Sequence, residues 1–184
     1  MKVTASSIAG VLLIEPTLHT DARGTFFESF NKQNFRQSTG LEVSFVQDNH
    51  SHSRRSVLRG LHYQIVQPQG KLVRVSSGSV FDVAVDLRRH SPTFGQWSGD
   101  ELSGLNRLQK WIPPGFAHGF LVTSDFADVL YKTTQCYAAE HERCLQWNDA
   151  DLAIQWPLTE PPLLSSKDEA GLPFSQAQTF GHVL

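Results

Sequence analysis

A short run near the middle of the chain carries the groups of a proton-transfer site. Residues 58–64 read Leu-Arg-Gly-Leu-His-Tyr-Gln, and Lys71 follows seven residues later. Histidine titrates near neutral pH, so His62 is suited to general-base catalysis with two cations, Arg59 and Lys71, close by. The alternative is a core histidine with Arg59 in a surface ion pair. In a regular strand residues 59 and 62 point to opposite faces, so a shared site requires a bulge or bend at Gly60.

Three further histidines raise the alternative of a metal site. Residues 111–120 contain Pro-x-Gly-x-x-His ending at His118, which resembles the second half of the cupin metal-binding motif. His50 and His52 form a His-x-His pair, as in the first half of that motif, but residues 53–55 supply no acid before the next strand. A transition-metal site needs three or four converging donors. We therefore expect no bound metal.

Other polar residues lie at strand ends, in turns or within apolar segments. Asp21 and Asp48 are interpreted as turn and strand-end residues. Tyr131 lies in an apolar strand, either as a core tyrosine with a bonded hydroxyl or as a proton donor. Asp168 is an isolated acid near the end of the chain, where a carboxylate is usually solvated. The candidates for holding a polar ligand are Arg23, Glu28, Gln47 and Asn49.

Composition bounds the partners of the protein. The 184 residues include 16 Lys and Arg against 18 Asp and Glu, for a net charge of -2, so bulk attraction to nucleic acid is not expected. A chain of this length buries roughly 70% of its unfolded surface in one domain. The apolar run at 11–14 is too short for a signal or a membrane span, and Cys136 and Cys144 form no disulfide framework. We expect a cytoplasmic protein without a membrane partner.

The elements that must position these residues are mostly strands. Residues 80–87 alternate apolar and polar side chains, which predicts a half-buried strand. The Ser-Ser-Gly-Ser run at 76–79 predicts a tight hairpin from the strand at 70–75. Further strands are predicted at 11–15, 25–30, 43–47, 56–65, 109–112, 119–122 and 129–133.

Helices are few in this pattern. Residues 32–39, preceded by Asn31 and followed by Gly40, predict one short helix. The segment at 157–184 is rich in Pro, Ser and Gly and is predicted to be loops with one helical turn. The class is therefore all-β, a sandwich or barrel in a single domain over residues 1–184.

Ten motifs occur in a fixed order between about residue 10 and residue 168. They lie at 21–29, 45–50, 58–64, 69–74, 80–86, 91–97, 111–120, 131–132, 147–149 and 164–168. Among them are Asp-x-Arg-Gly-x-Phe-Phe-Glu-Ser at 21–29, Ser-Pro-Thr-Phe-Gly-Gln-Trp at 91–97 and Leu-Ser-x-Lys-Asp at 164–168. Together they resemble the dTDP-4-dehydrorhamnose 3,5-epimerase family. The resemblance implies a cupin-type jelly-roll barrel or sandwich with short flanking helices, and no metal or other cofactor.

The resemblance also implies a reaction and residue roles. The family inverts carbons 3 and 5 of dTDP-4-dehydro-6-deoxy-D-glucose, on either side of the carbon-4 ketone, for dTDP-L-rhamnose biosynthesis. By position, His62 matches the base, Asp168 its carboxylate partner, Tyr131 the acid for the opposite face, and Lys71 the group that stabilises the enolate. The positions that match substrate contacts are Arg23, Phe26, Glu28, Gln47, Asn49, Arg59, His118, Tyr137, Glu142 and Lys167, with the two arginines on the diphosphate and Tyr137 on thymine.

Members of that family are homodimers in which N-terminal residues reach the partner's site. The resemblance therefore implies that Arg23, Phe26 and Glu28 act across an interface. Three alternatives remain open at the level of the sequence. They are a 3-epimerase of a related dTDP-deoxysugar pathway, a metal-dependent cupin enzyme using the three histidines named above, and a non-catalytic sugar-nucleotide binder, which would need neither the base nor the acid.

Overall fold

A computed structural model of the chain describes residues 1–181, so the last three residues of the 157–184 segment lie outside the described residues. In chain order the strands are β1 (Lys2–Ala5), β2 (Leu12–Glu15), β3 (His19–Asp21), β4 (Gly24–Phe26), β5 (Gln47–Arg54), β6 (Leu58–Gln64), β7 (Lys71–Ser77), β8 (Ser79–Asp86), β9 (Trp97–Ser103), β10 (Gln109–Ile112), β11 (Phe116–Val122), β12 (Phe126–Thr133) and β13 (Glu142–Cys144). The helices are α1 (Lys32–Thr39) and α2 (Ser166–Glu169), with single 3-10 turns at Ala139–His141 and Phe174–Gln176. Within residues 1–181, no helix is both long enough and apolar enough to span a bilayer.

The strands form two antiparallel sheets that face each other. One has the order β1-β2-β10-β7-β12-β5 and the other β13-β6-β11-β8-β9, while β3 and β4 pair as a separate hairpin. Inward side chains such as Val73, Val129 and Phe120 make the apolar core between the sheets. Over the described residues the sheets stay separate, so the prediction of an all-β sandwich is confirmed and the closed-barrel form is not adopted.

The outer faces of both sheets are also covered. Phe35 of α1 packs with Ile14, Leu72 and Trp111 on the six-stranded sheet. The helix is the one predicted, since the Asn31 side chain accepts hydrogen bonds from two backbone N–H groups of its first turn, and Gly40 follows it in the left-handed conformation. The segment after β13 lies on the five-stranded sheet, where its apolar side chains join an outer cluster. Both sheets are therefore packed on their outer faces as well as on the faces that meet in the core.

Strand β8 is buried on both faces, so the prediction of a half-buried strand is wrong. Val83 and Val85 face the covering C-terminal segment. Asp82 and Asp86 are fully buried on the other face. These carboxylates form ion pairs inside the protein and do not face solvent. Asp86, for example, accepts two hydrogen bonds from Arg88, of 2.8 and 2.7 Å.

The predicted tight hairpin at 76–79 is also wrong. Strands β7 and β8 belong to different sheets, and the turn carries the chain from one sheet to the other. Gly78 is required there because its φ is 75° and a Cβ would lie 1.9 Å from the Phe126 carbonyl oxygen. The small residues of the turn reflect this close approach.

Two other strand predictions are wrong over most of their length. Residues 43–46 belong to no strand, and Val43 and Phe45 pack against the α1 cluster. The segment predicted at 25–30 pairs only as far as Phe26. The paired strand β5 begins at Gln47 and is wholly polar, with side chains that alternate between partly buried and exposed. Hydrophobic periodicity misses such a strand because its inward side lines a polar cavity.

Candidate active site

A cavity of about 270 Å³ lies between the two sheets and has a polar lining. Strand β6 contributes His62 and Arg59, and β11 contributes His118. The facing sheet contributes Lys71 from β7 and Tyr131 from β12. Other predicted site residues that line it are Gln47, Asn49, Tyr137 and Glu142. The fold thus gathers nine of the sequence candidates around one space.

An irregularity at Gly60 allows Arg59 and His62 to share this cavity. His62 pairs with His118 and Arg59 with Phe120, so β6 spans one more residue than β11 between these two pairs. Gly60 has a φ of 123°, and a Cβ on it would lie 2.5 Å from the Gly119 Cα. The bulge expected from the sequence is confirmed.

His62 is paired with a carboxylate from the far end of the chain. Its Nε2 lies 2.8 Å from Asp168 Oδ1. Asp168 is buried, and it accepts hydrogen bonds from the Gly60 N–H at 3.0 Å and the Ser165 hydroxyl at 2.6 Å. Burial alone would raise the pKa of Asp168, but the contacts with His62, Ser165 and Gly60 hold it well below the usual range. The pair therefore presents a fixed carboxylate anion to one side of the imidazole.

Asp168 is held in place by its own helix turn. Ser165 caps α2 through a reciprocal capping box with Asp168, which is the third residue of the helix. The isolated acid expected to be solvated is therefore both a capping residue and a histidine partner.

Lys71 and Tyr131 face the cavity from the six-stranded sheet. Burial lowers the pKa of Lys71 to about 8, against the opposing effect of Asp82 and Glu142. The Lys71 ammonium donates a 3.4 Å hydrogen bond to the His62 carbonyl oxygen. Burial raises the pKa of the Tyr131 phenol. At neutral pH the wall thus carries an ammonium that gives up its proton readily and a neutral phenol.

His118 belongs to a second histidine–aspartate pair, which lies deeper in the protein. Its Nε2 is 2.7 Å from Asp82 Oδ2. Lys110 is fully buried behind this carboxylate, with its ammonium 3.5 Å from Asp82 Oδ1 and 2.9 Å from Asp100 Oδ2. Burial lowers the pKa of His118, and the Lys71 and Lys110 charges add to this effect against the attraction of Asp82. A neutral His118 is the expected form.

The loop between β12 and β13 is tied to the cavity by amide groups. The Gln64 side chain accepts a 2.9 Å hydrogen bond from the Ala138 N–H, and the Gln47 side chain accepts one of 2.9 Å from the Tyr137 N–H. The Tyr137 hydroxyl donates to Glu142 at 2.9 Å, and Lys167 donates to the same carboxylate at 2.7 Å. These bonds hold a tyrosine ring at the mouth of the cavity.

Lys167 does not line the cavity itself but bonds Glu142, which does. Three further predicted binding residues, all in the N-terminal segment, lie outside the cavity of their own chain. Arg23, 90% exposed in its side chain, pairs with Asp21 in the β3–β4 hairpin. Phe26 is 72% exposed. Glu28 accepts hydrogen bonds from two asparagine side chains at the start of α1. Within one chain these residues do not meet the other candidates.

The three histidines of the metal hypothesis do not converge. His50 and His52 lie on the outer side of β5, 3.1 and 2.9 Å from Asp128 Oδ1. His118 points inward to Asp82. The alternation of side chains along a strand separates them, so a metal centre built from these three residues is wrong.

Sequence reasoning missed several groups of the site. The alternation at 80–87 places Asp82 on the exposed face of a half-buried strand, although an acid in an otherwise apolar strand was the signal for a buried pair, and Lys110 belongs to none of the motifs. The remaining unpredicted lining residues are Ser51, Tyr63, Gln64, Gln69 and Phe120.

Comparisons with known proteins agree with this architecture. A family model described as dTDP-4-dehydrorhamnose 3,5-epimerase matches residues 5–176. A protein of that name from Pseudomonas aeruginosa is 61% identical over 98% of this chain and 99% of its own length. One from Salmonella typhimurium is 52% identical over 96% of this chain and 97% of its own.

A solved structure gives the same result in three dimensions. The dTDP-6-deoxy-D-glucose-3,5-epimerase of Legionella pneumophila, in complex with dTDP-4-keto-L-rhamnose, is 47% identical and superposes with a TM-score of 0.96 over 100% of this chain and 99% of that one. Family model, relatives and fold coincide over nearly the whole chain. This chain therefore belongs to the dTDP-4-dehydrorhamnose 3,5-epimerase family.

Proposed function

We propose that this enzyme inverts carbons 3 and 5 of dTDP-4-dehydro-6-deoxy-D-glucose, giving dTDP-4-dehydro-L-rhamnose for dTDP-L-rhamnose biosynthesis. One observation carries the mechanism. His62 and Tyr131 line the same cavity from facing sheets. A sugar ring held between the sheets meets a base on one face and an acid on the other, which is the arrangement that inversion requires.

His62 is the proposed base, and Asp168 is its positioning partner. A carboxylate on one ring nitrogen sets the tautomer and stabilises the imidazolium formed when the proton is taken. A ketone α-proton is roughly a dozen pKa units less acidic than imidazolium, which corresponds to on the order of 16 kcal/mol at about 1.36 kcal/mol per unit. The base alone cannot supply this, so the enolate must be stabilised.

Lys71 is the proposed donor to the enolate oxygen at carbon 4. A preorganised donor in a water-poor site is typically worth about 3–4 kcal/mol. With a pKa of about 8, the Lys71 ammonium is still charged at neutral pH. Its pKa is closer to that of an enol than the pKa of an exposed lysine is, which favours a strong interaction with the enolate. Tyr131, a neutral phenol at that pH, then returns a proton to the ring face opposite His62.

The nucleotide is proposed to lie toward the mouth of the cavity. Arg59 lines the cavity, and its Nε donates a 3.0 Å hydrogen bond to Ser53 Oγ, so the guanidinium is preset to receive a diphosphate. Tyr137 offers a half-exposed ring, with the Lys167 ammonium 6.0 Å from its centroid, on which thymine would stack. His118, Gln47, Asn49 and Glu142 are the remaining proposed contacts.

A homodimer would complete this site. The β3–β4 hairpin is joined to neither sheet and presents an exposed Phe26 and Arg23. We propose that these two residues and Glu28 reach the cavity of a second copy, adding a cation for the diphosphate and an aromatic surface for the nucleotide.

The test is proton NMR of the reaction in heavy water, coupled to the next reductase. Wild-type enzyme should incorporate deuterium at carbons 3 and 5 and yield the doubly inverted sugar. Tyr131→Phe should keep exchange at these carbons but lose inversion, because the base still acts while the opposite acid is gone. Inversion at carbon 3 alone by the wild-type enzyme would favour the 3-epimerase alternative, and unimpaired inversion by Tyr131→Phe would contradict the role of the phenol.

Binding is tested separately by calorimetry with dTDP. Arg59→Ala should weaken affinity by about 10- to 100-fold, because a charged hydrogen bond typically contributes about 1.5–3 kcal/mol. Arg55→Ala is the matched control, since Arg55 bonds the Thr123 carbonyl and Asp125 away from the cavity. An unchanged affinity for Arg59→Ala would remove it from the site.

A further inference from the structure

We propose that the Cys144 thiol, with His62 and Asp168, forms a binding site for Zn²⁺ and that the bound ion inhibits the enzyme. One ligand atom from each of the three side chains lies within 4.8 Å of the other two. Nitrogen, sulfur and carboxylate oxygen are the donors that zinc prefers. Three protein ligands leave a fourth position for water, as in zinc sites open to a cavity.

Strand pairing explains why the thiol lies beside the base. Cys144 of β13 is the register partner of His62 of β6. The neighbouring residues Leu61 and Leu145 exchange both backbone hydrogen bonds, at 3.4 and 2.9 Å. The next pair, Cys144 and His62, is therefore a non-hydrogen-bonded pair, in which side chains come closest.

The distances suit a zinc ion after a small adjustment. With bonds of about 2.0–2.3 Å, a tetrahedral ion needs ligand atoms about 3.3–3.7 Å apart. The three atoms here are separated by no more than 4.8 Å, and the shortest contact, between His62 Nε2 and Asp168 Oδ1, is 2.8 Å. A bound ion therefore requires the contact between His62 and Asp168 to open by about 0.5 Å and the sulfur to approach by up to about 1.1 Å.

The local charge favours a dication over a bare thiolate. Burial raises the pKa of Cys144 to about 12, and the carboxylates of Asp168 and Glu142 add to this effect. The same carboxylates attract a divalent cation, whose charge deprotonates a coordinating thiol. The S–H bond breaks, a Zn–S bond forms, and one proton passes to solvent without any redox step, so binding should tighten with rising pH.

Inhibition follows from the role of His62 as the base, and it rests on the function proposed above. Zn²⁺ on Nε2, the nitrogen beside Asp168, leaves the proton of the neutral ring on Nδ1, so the nitrogen that would act as the base has no free lone pair. Asp168 is drawn into the same coordination and no longer orients a free ring. The ion thus blocks the proton transfer without entering the nucleotide part of the cavity.

The experiment measures metal binding directly, so its outcome does not depend on the reaction. Purified wild-type protein, Cys144→Ser and the matched control Cys136→Ser compete with a chromophoric chelator for Zn²⁺, and Co²⁺ serves as the spectroscopic probe. Cys136 is an exposed free thiol and Cys144 a half-buried one. Wild type and Cys136→Ser should bind one ion with a near-ultraviolet sulfur-to-cobalt absorption, while Cys144→Ser should bind at least tenfold more weakly and lack the band.

Activity supplies the second readout. Metal-free Cys144→Ser should match the wild-type turnover, and Zn²⁺ should inhibit wild type at concentrations at least tenfold lower than this variant. Equal zinc affinity of wild type and Cys144→Ser, absence of the cobalt–sulfur band, or activation by zinc would each overturn the proposal. Metal binding without any epimerase activity would instead count against the proposed function alone.

Discussion

Two histidine–aspartate pairs lie side by side in the five-stranded sheet, where His62 and His118 are register partners on adjacent strands. The first imidazole is partly exposed to the cavity, and its carboxylate, Asp168, is bonded by the N–H of Gly60 and the hydroxyl of Ser165. The second is buried, and its carboxylate Asp82 is shared with the Lys110 ammonium.

The difference shows that the group behind a carboxylate decides what its histidine can do. Neutral donors leave the full negative charge of Asp168 available to an imidazolium on His62. Lys110 compensates Asp82, and burial further disfavours a charge on His118. This difference supports the proposal that the first pair accepts a proton during the reaction, while the second holds a neutral ring in place.

The largest expected effect is the loss of the base. His62→Ala should lower kcat by about 10³- to 10⁴-fold and abolish deuterium exchange at both carbons, because general-base catalysis typically contributes up to about 10⁴-fold. His118→Ala should mainly raise KM and retain exchange. Heavy-water NMR with both variants checks this, and equal loss of exchange in the two would erase the distinction between the pairs.

The buried pair should matter more for stability than for chemistry. Lys110→Met leaves Asp82 and Asp100 without their ammonium and should lower the free energy of unfolding by about 3–5 kcal/mol in a urea titration. The double variant Lys110→Met with Asp82→Asn removes both charges and should recover part of that loss. Equal destabilisation by the single and double variants would mean that the ion pair itself contributes little.

Acid stability should report on the pair formed by His62 and Asp168. The folded pKa of Asp168 is depressed, so its stabilising contribution is present above the unfolded value of about 4 and is lost as pH falls through the folded pKa. Wild type should therefore lose stability below about pH 4 more steeply than Asp168→Asn, as followed by circular dichroism. Identical acid profiles would show that Asp168 titrates as an ordinary carboxyl.

The same Asp168→Asn variant should lower kcat by about 100-fold, because an uncharged partner no longer stabilises the imidazolium. Ser165→Ala, which keeps the carboxylate but loses one of its hydrogen bonds, is the matched control and should have a smaller effect.

The smallest expected effect concerns Lys71, which lies between the two pairs. Activity should fall above about pH 8 as this ammonium loses its proton. The Asp82 charge opposes the lowering of the Lys71 pKa, so Asp82→Asn should move the alkaline limb of the kcat profile to lower pH. At a fixed pH on that limb, kcat should fall by less than tenfold. Asp168→Asn should leave that limb in place, and a shift of the same size in both variants would contradict the assignment.

Local features of the fold could be predicted from the sequence. The α1 helix follows from its Asn31 cap and the glycine after it, and the bulge at Gly60 follows from the need to place Arg59 and His62 together. The polar strand β5 could not be predicted, because its inward face lines a cavity rather than a core. The turn at Gly78, which carries the chain from one sheet to the other, could not be predicted either. Small residues suit a hairpin and a turn between sheets equally well.

The sequence by itself determined the all-β class, the family and the residues of the proposed proton transfer, because motifs and the period-two pattern are local properties of the chain. Only the tertiary structure decided which partners those residues have. It buries Asp168 against His62, puts Lys110 behind Asp82 and sets Cys144 opposite His62. These contacts join segments that are distant in the sequence, or they depend on what covers one face of a sheet. The alternation of side chains along a strand specifies which residues share a face of the sheet, but not which segment packs against that face.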